Sequence, residues 1–271
     1  MVRILFVGDV MGNPGRRAVG EMLQALRSRL NIDFVVLNGE NSAGGFGITK
    51  QVSHDFFRAG VDAITLGNHT WSKRESWDYI DSETRVLRPA NYPPGVPGRG
   101  WGVFKIENGI KIAVASLMGR TFMTPIDCPF RTADTILAGL DEDAHISIID
   151  IHAEATSEKV ALGYYVDGRA SAVIGTHTHI QTSDERVLPS GTAYMTDAGM
   201  AGVTESVLGL DPVVAMERFL KQMPNRLKLA EGVPTLQGAL IDIDESTGRA
   251  TGIRRINLKS GEDNCELPQP V

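Results

Sequence analysis

Five apolar runs in this chain stop at polar residues. "RILFVGD", "DFVVLNGEN", "VDAITLGNHT", "AHISIIDIHAE" and "SAVIGTHTH" are rich in branched and aromatic residues, and each finishes in Asp, Glu, Asn or His. Runs of this length and composition read as strands buried on both faces. In sheets with helical crossovers, ligands bind just outside the carboxyl ends of the strands. The pattern therefore predicts an α/β fold in which Asp9, Glu40, Asn41, Asn68, His69, His152, His177 and His179 converge on one crevice. Of the six histidines, only His54 and His145 lie away from these ends.

The segments between the runs fit that frame. "GRRAVGEMLQALRSRL" places Val19, Met22, Leu23, Leu26 and Leu30 at helical spacing, and Pro14 suits the first turn. "TKQVSHDFFRAG" reads as a helix with Thr49 as its cap and Gly60 as its stop. Three successive strand–loop–helix units imply a sheet with helical crossovers. The texture then changes. "RPANYPPGVPGRG" is loop, and "WGVFKIENGIKIAVASLMG" alternates around Asn108-Gly109, a hairpin signal. "TSEKVALGYYVDG" and "DPVVAMERFLK" are predicted helices, "GTAYMTDAG" a further strand, and "LQGALIDIDESTGRATGIRRINL" a closing hairpin that turns near Ser246–Gly248. We expect one domain over residues 1–271: a four-layer α-β-β-α sandwich of two mixed sheets flanked by helices, with a poorly ordered tail from about 260.

Composition narrows the function. The net charge of −6 lacks the basic footprint that a long phosphate backbone requires, so no extended nucleic-acid-binding surface is expected. A small phosphate ligand held by metal ions is compatible with it. Two distant cysteines, Cys128 and Cys265, offer neither a disulfide framework nor a thiolate metal site. With no signal-peptide pattern and no membrane-length apolar run, the expected location is the cytoplasm.

Carboxylates, amide oxygens and imidazoles together suit first-row metal ions of intermediate softness. Two such ions roughly 3.5–4 Å apart clamp a phosphoryl group and activate water. The ordered motifs "GDV…NGEN…GNHT…IHAE…GTHTH" resemble those of the calcineurin-like metallophosphoesterases. The wording "GENSAGGFGIT", "GNHTW" and "GTHTHIQT" is similar to the YmdB-type branch, and the resemblance runs over nearly the whole chain.

That resemblance implies a set of residue assignments. Glu40 stands where the bridging carboxylate belongs. Asp9 and His179 would hold a first metal, with Asn41 contributing its amide oxygen. Asn68, His152 and His177 would hold a second together with Glu40, and His69 occupies the general-acid position. The chain departs from many relatives in two places: Met11 replaces the histidine of an Asp-x-His motif, and Glu40 replaces the usual bridging aspartate. The first centre is thus richer in oxygen, which favours iron or manganese and leaves zinc open. The implied activity is hydrolysis of small nucleotide phosphodiesters, 2′,3′-cyclic nucleotides first and 3′,5′-cAMP second. The rivals are a phosphomonoesterase or nuclease of the same superfamily, and a non-catalytic, metal-containing regulatory protein linked to RNA. Homo-oligomerisation stays open.

Singly, each residue has a plain structural reading. Asp9 would cap the following helix, Asn41 and Asn68 would form turns, Glu40 would be a surface carboxylate, and His152 would pack under a loop. His177 and His179 are harder to dismiss, because alternate residues of an extended chain face one side. Elsewhere, "NSAGGFGI" is either a phosphate cradle or a flexible loop. Arg120 and Arg131 read as surface arginines. Trp71, Phe122 and Phe130 read as packing residues before base-stacking ones, and Cys128 is isolated.

Overall fold

The computed structural model describes residues 1–140 and 144–261; beyond Gly261, the expected tail lies outside the described residues. In chain order the first elements are β1 (Val2–Val7), β2 (Asp9–Val10), α1 (Gly12–Leu30), β3 (Phe34–Asn38), α2 (Lys50–Ala59), β4 (Ala63–Thr65), α3 (Trp77–Ser82) and β5 (Val86–Leu87). The middle supplies β6 (Trp101–Lys105), β7 (Lys111–Met118), α4 (Pro129–Ala138), β8 (Ile146–His152), α5 (Thr156–Tyr165) and β9 (Ala172–Thr176). The remainder supplies β10 (Arg186–Val187), β11 (Ala193–Met195), β12 (Met200–Gly202), α6 (Pro212–Lys221), β13 (Thr235–Ile243) and β14 (Ala250–Lys259).

Two mixed sheets result. One runs β2-β12-β13-β1-β3-β4-β5 with β14 also paired to β13; the other runs β10-β11-β9-β8-β7-β6. The predicted crossovers are present: β1 pairs parallel with β3, and β3 with β4, across α1 and α2. Thr49 and Gly60 bound α2 as expected. The two predicted hairpins are the antiparallel pairs β6–β7 and β13–β14.

Alternation along each strand sets the layers. On β1, Leu5 and Val7 pack with α1 and α2, while Ile4 and Phe6 meet Ile112, Ile148 and Ile174 of the second sheet. On β8, Ile146 and Ile148 face the first sheet, whereas Ile149 and Ile151 pack with α4 and α5. The outcome is helix, sheet, sheet, helix. Because the side-chain period is two, Asp150 and His152 share the inward face with Ile148. The strand's last inward position is therefore an imidazole buried between the sheets.

One buried ion pair ties α5 to the loop that follows β11, and through it to the loop that follows β9. Lys159 of α5 and Asp197 are both fully buried, with Nζ 2.9 Å from Oδ2. The same Oδ2 accepts from the Thr178 backbone N–H at 3.1 Å and its hydroxyl at 2.6 Å. Removing one partner of such a pair strands a charge without solvent. Lys159→Met should lower unfolding free energy by about 3–5 kcal/mol, measured by urea denaturation.

Candidate metal centre

Every predicted site residue sits at or just past the carboxyl end of a strand. Asp9 opens the short β2 just past β1, and Glu40 and Asn41 follow β3. Asn68 and His69 follow β4, His152 ends β8, and His177 and His179 follow β9. The plain readings fail for several of them. Met11, not Asp9, occupies the helix-cap position, and Asp9 is fully buried. Glu40 is 1% exposed and so is no surface carboxylate.

His152 is the hub. Its Nε2 lies 3.0 Å from Glu40 Oε1, 2.9 Å from Asn68 Oδ1 and 3.1 Å from His177 Nδ1. A ring nitrogen carries one proton or one lone pair, so it cannot satisfy three such neighbours by hydrogen bonding. Glu40, His152 and His177 each offer a ligand atom, and these atoms lie within 4.8 Å of one another. A cation among them would serve all of these donors at once.

A second set of donors lies alongside. Asp9 Oδ2 accepts from the His177 backbone N–H at 3.0 Å, while Asp9 Oδ1 is buried with no hydrogen-bond partner. His179 Nε2 is 3.8 Å from that oxygen. Asn41 donates its Nδ2 to Gly45 O at 3.1 Å, which leaves Asn41 Oδ1 buried and also unpartnered. Orphaned buried oxygens are costly, and an ion is one standard resolution. The Glu40, His152 and His177 donors therefore fit a metal ion, and the unpartnered Asp9 and Asn41 oxygens lie open to a cation as well.

His177 and His179 reach these two places by a route other than strand alternation. Both lie beyond β9 on left-handed backbone, with φ of 93° and 61°. Such conformations are uncommon outside glycine and cluster where a structure over-determines them. The turn sends His177 toward His152 and His179 toward Asp9, so both imidazoles reach the cluster on left-handed and not on extended backbone.

His69 flanks the cluster. Its backbone N–H donates to Glu40 Oε2 at 2.8 Å, and its ring Nδ1 lies 3.4 Å from Ser72 Oγ.

Several residues that orient the site were not singled out from sequence. Thr176 Oγ1 lies 2.9 Å from His152 Nδ1 and donates to Asp150 Oδ1 at 2.6 Å. Asp150 is buried and also accepts from Thr65 at 2.5 Å and from Asn38 at 3.0 Å. With the Thr176 proton committed to Asp150, His152 Nδ1 donates to Thr176, and Nε2 is the nitrogen that would give up its proton to a metal. The readable signal was Asp150 itself, a lone charge inside "ISIIDIH". Gly67 matters by size: a Cβ there would come within 2.3 Å of His152 Nε2. Among the other aromatic candidates, Trp71 packs against Trp77 and Tyr92, and Phe130 against Tyr165, whereas Phe122 is 89% exposed.

Electrostatics follow from this burial. Burial raises the Asp9 carboxyl to about 6, against the pull of His179 and His152. Burial also acts to raise Glu40, but the neighbouring His152 and His69 outweigh it and hold Glu40 at about 2. For His152, burial works downward, yet Glu40, Asp9 and Asp150 carry it up to about 9. Burial and the adjacent His152 charge press His177 down to about 3, and burial lowers His69.

Fold and site together define a metallophosphoesterase-like protein. The sequence matches the family model described as YmdB-like protein over residues 5–256, and the chain belongs to that family. It is 50% identical over 255 residues to the 2′,3′-cyclic-nucleotide 2′-phosphodiesterase of Bacillus subtilis (strain 168), an alignment covering 94% of this chain and 96% of that one. The crystal structure of a hypothetical protein from Thermus thermophilus has a TM-score of 0.90 at 42% identity, covering 95% of this chain and 99% of the other. A structure described as a novel phosphatase from Mycoplasma pneumoniae has a TM-score of 0.89 at 30% identity, covering 95% and 93%.

The His152 shift carries a sign. Its folded pKa lies above the unfolded value, so its stabilisation is fully present below about 6.5 and is lost as pH rises through about 9. Asp9 acts in the same direction between 3.8 and about 6. Chelator-treated protein should therefore melt at progressively lower temperature across that upper range, as read by scanning fluorimetry in matched buffers.

Proposed function

We propose that the chain is a metal-dependent phosphodiesterase acting on small nucleotides, 2′,3′-cyclic nucleotides foremost, in the cytoplasm. The observation that carries the reading is the convergence of Glu40 Oε1, Asn68 Oδ1 and His177 Nδ1 on His152 Nε2 beside the unpaired Asp9 and Asn41 oxygens. The 50% identity to a protein named for that activity supports the substrate class.

In this reading Asp9, Asn41 and His179 would hold one ion, Asn68, His152 and His177 would hold a second, and Glu40 would serve both. Iron or manganese suits the oxygen-rich first set better than zinc. When bound, such ions supply positive charge to the phosphoryl oxygens and acidify water at neutral pH. The chain's residues do the rest. Glu40 is kept ionised by its histidine neighbours. Asp150, acting through Thr176, keeps His152 in the ligating tautomer. As a water oxygen bonds to phosphorus and the bond from phosphorus to the ribose 2′-oxygen breaks, His69, fixed through its backbone N–H to Glu40, donates a proton to that departing oxygen, leaving a nucleoside 3′-phosphate. The burial of Asp9, Glu40 and His152 strengthens their mutual interactions.

Two variants test the assignment. Glu40→Gln should lose metal content and hydrolysis together, by elemental analysis and kinetics on one sample. His69→Ala should keep its metal and slow turnover of an unactivated diester by about 10²–10⁴-fold, the usual contribution of a positioned proton donor. A second reading, phosphomonoesterase activity, is favoured by the description of the Mycoplasma pneumoniae structure as a phosphatase. A panel of cyclic diesters, linear dinucleotides and monoesters separates the two.

A further inference from the structure

We propose that Phe46 is the platform on which the nucleobase of the substrate stacks, making it the residue that selects nucleosides over other cyclic phosphates. The inference rests on the phosphodiesterase reading above and adds to it a binding contact outside the metal-ligating set.

Phe46 lies in the glycine-rich loop after β3. Its ring centroid stands 4.8 Å from that of His69, with the planes at 67°. The side chain remains 39% exposed and belongs to none of the three apolar clusters among the described residues. Outside those clusters, the ring contact that Phe46 makes is the one with His69.

The loop nevertheless holds it firmly. Ala43 N–H donates to Gly47 O at 2.9 Å, and Gly45 N–H donates to Asn41 O at 3.1 Å. Asn41 returns a side-chain bond to Gly45 O at 3.1 Å. Gly45 and Gly47 take φ of 99° and 76°, conformations that put Phe46 at the tip of a closed turn. The loop is thus built, and its product is an aromatic surface beside the proposed proton donor.

Substrate chemistry gives that surface a use. The oxygen that leaves is the ribose 2′-oxygen, and the base is attached at C1′, the adjacent carbon. Whatever protonates the 2′-oxygen therefore stands on the nucleoside side of the breaking bond. An exposed ring packed against His69 is placed where the base arrives. Stacking on an aromatic face tolerates every base, which suits a broad cyclic-nucleotide enzyme.

The test compares adenosine 2′,3′-cyclic phosphate with 1-O-methylribose 2,3-cyclic phosphate, which lacks the base, in metal-loaded wild type, Phe46→Ala and Phe46→Trp. Wild type should favour the nucleoside in kcat/KM, chiefly through KM. Phe46→Ala should shrink that preference by about 5- to 100-fold, the range one base–aromatic stack spans, and Phe46→Trp should restore it. Calorimetry with adenosine 3′-phosphate and ribose 3-phosphate reads the same preference without turnover. An equal loss on both substrates would make Phe46 a support for His69 and overturn the proposal, as would an unchanged preference. If wild type hydrolyses neither compound, the activity reading fails, and the calorimetric preference still decides the case of Phe46.

Discussion

The protonation of a single buried ring governs how this centre is assembled. His152 faces three polar neighbours at one nitrogen and a threonine hydroxyl at the other. Because the Thr176 hydroxyl donates its hydrogen bond to Asp150, His152 Nδ1 serves as the donor to Thr176 and Nε2 faces the cluster. Asp150 in turn is held by Asn38 and Thr65, residues of β3 and β4. The imidazole is thereby fixed from both sheets, and the crevice between them is where its chemistry is set.

Burial makes the arrangement costly in the absence of cations. Asp9, Glu40 and His152 are almost entirely removed from water, and two oxygens of Asp9 and Asn41 have no partner. The acidic and basic groups shift one another's protonation: without cations His152 is carried up to about 9 and His177 pressed down to about 3, so a cation at His152 Nε2 would displace a proton there. Groups in this condition gain more from a bound ion than solvated ones do, since metal binding is coupled both to protonation and to folding. The pattern of misplaced pKa values in one cleft is itself a signature of a functional site.

Much of this was legible in the chain. Apolar runs that end in Asp, Glu, Asn and His announced both the buried strands and the edge where their ligands gather. The residues at those ends do meet, and the two sandwiched sheets follow from the β-strand period. Most of what escaped had no local signal. The strands β2 and β12 exist because Asp9 and Met200 pair across most of the sequence. The short helices α3 and α4 are set by tertiary packing more than by a long amphipathic run. The left-handed turn at His177 and His179 contradicts the propensity of its residues, because contacts to Asp9 and Asp197 impose it. Asp150 was visible as a charge within an apolar strand, but only its three partners reveal what it does.

The turn at His177–His179 has a consequence of its own. One tripeptide delivers an imidazole to each of the two donor sets, and its middle residue, Thr178, is riveted to Asp197 and Lys159 beneath. The interval between the sets is accordingly a property of local backbone and of a helix that supplies no donor to either one. Drift in α5 would reach both halves of the pocket in step, so the spacing between them acts as a ruler cut once, from below.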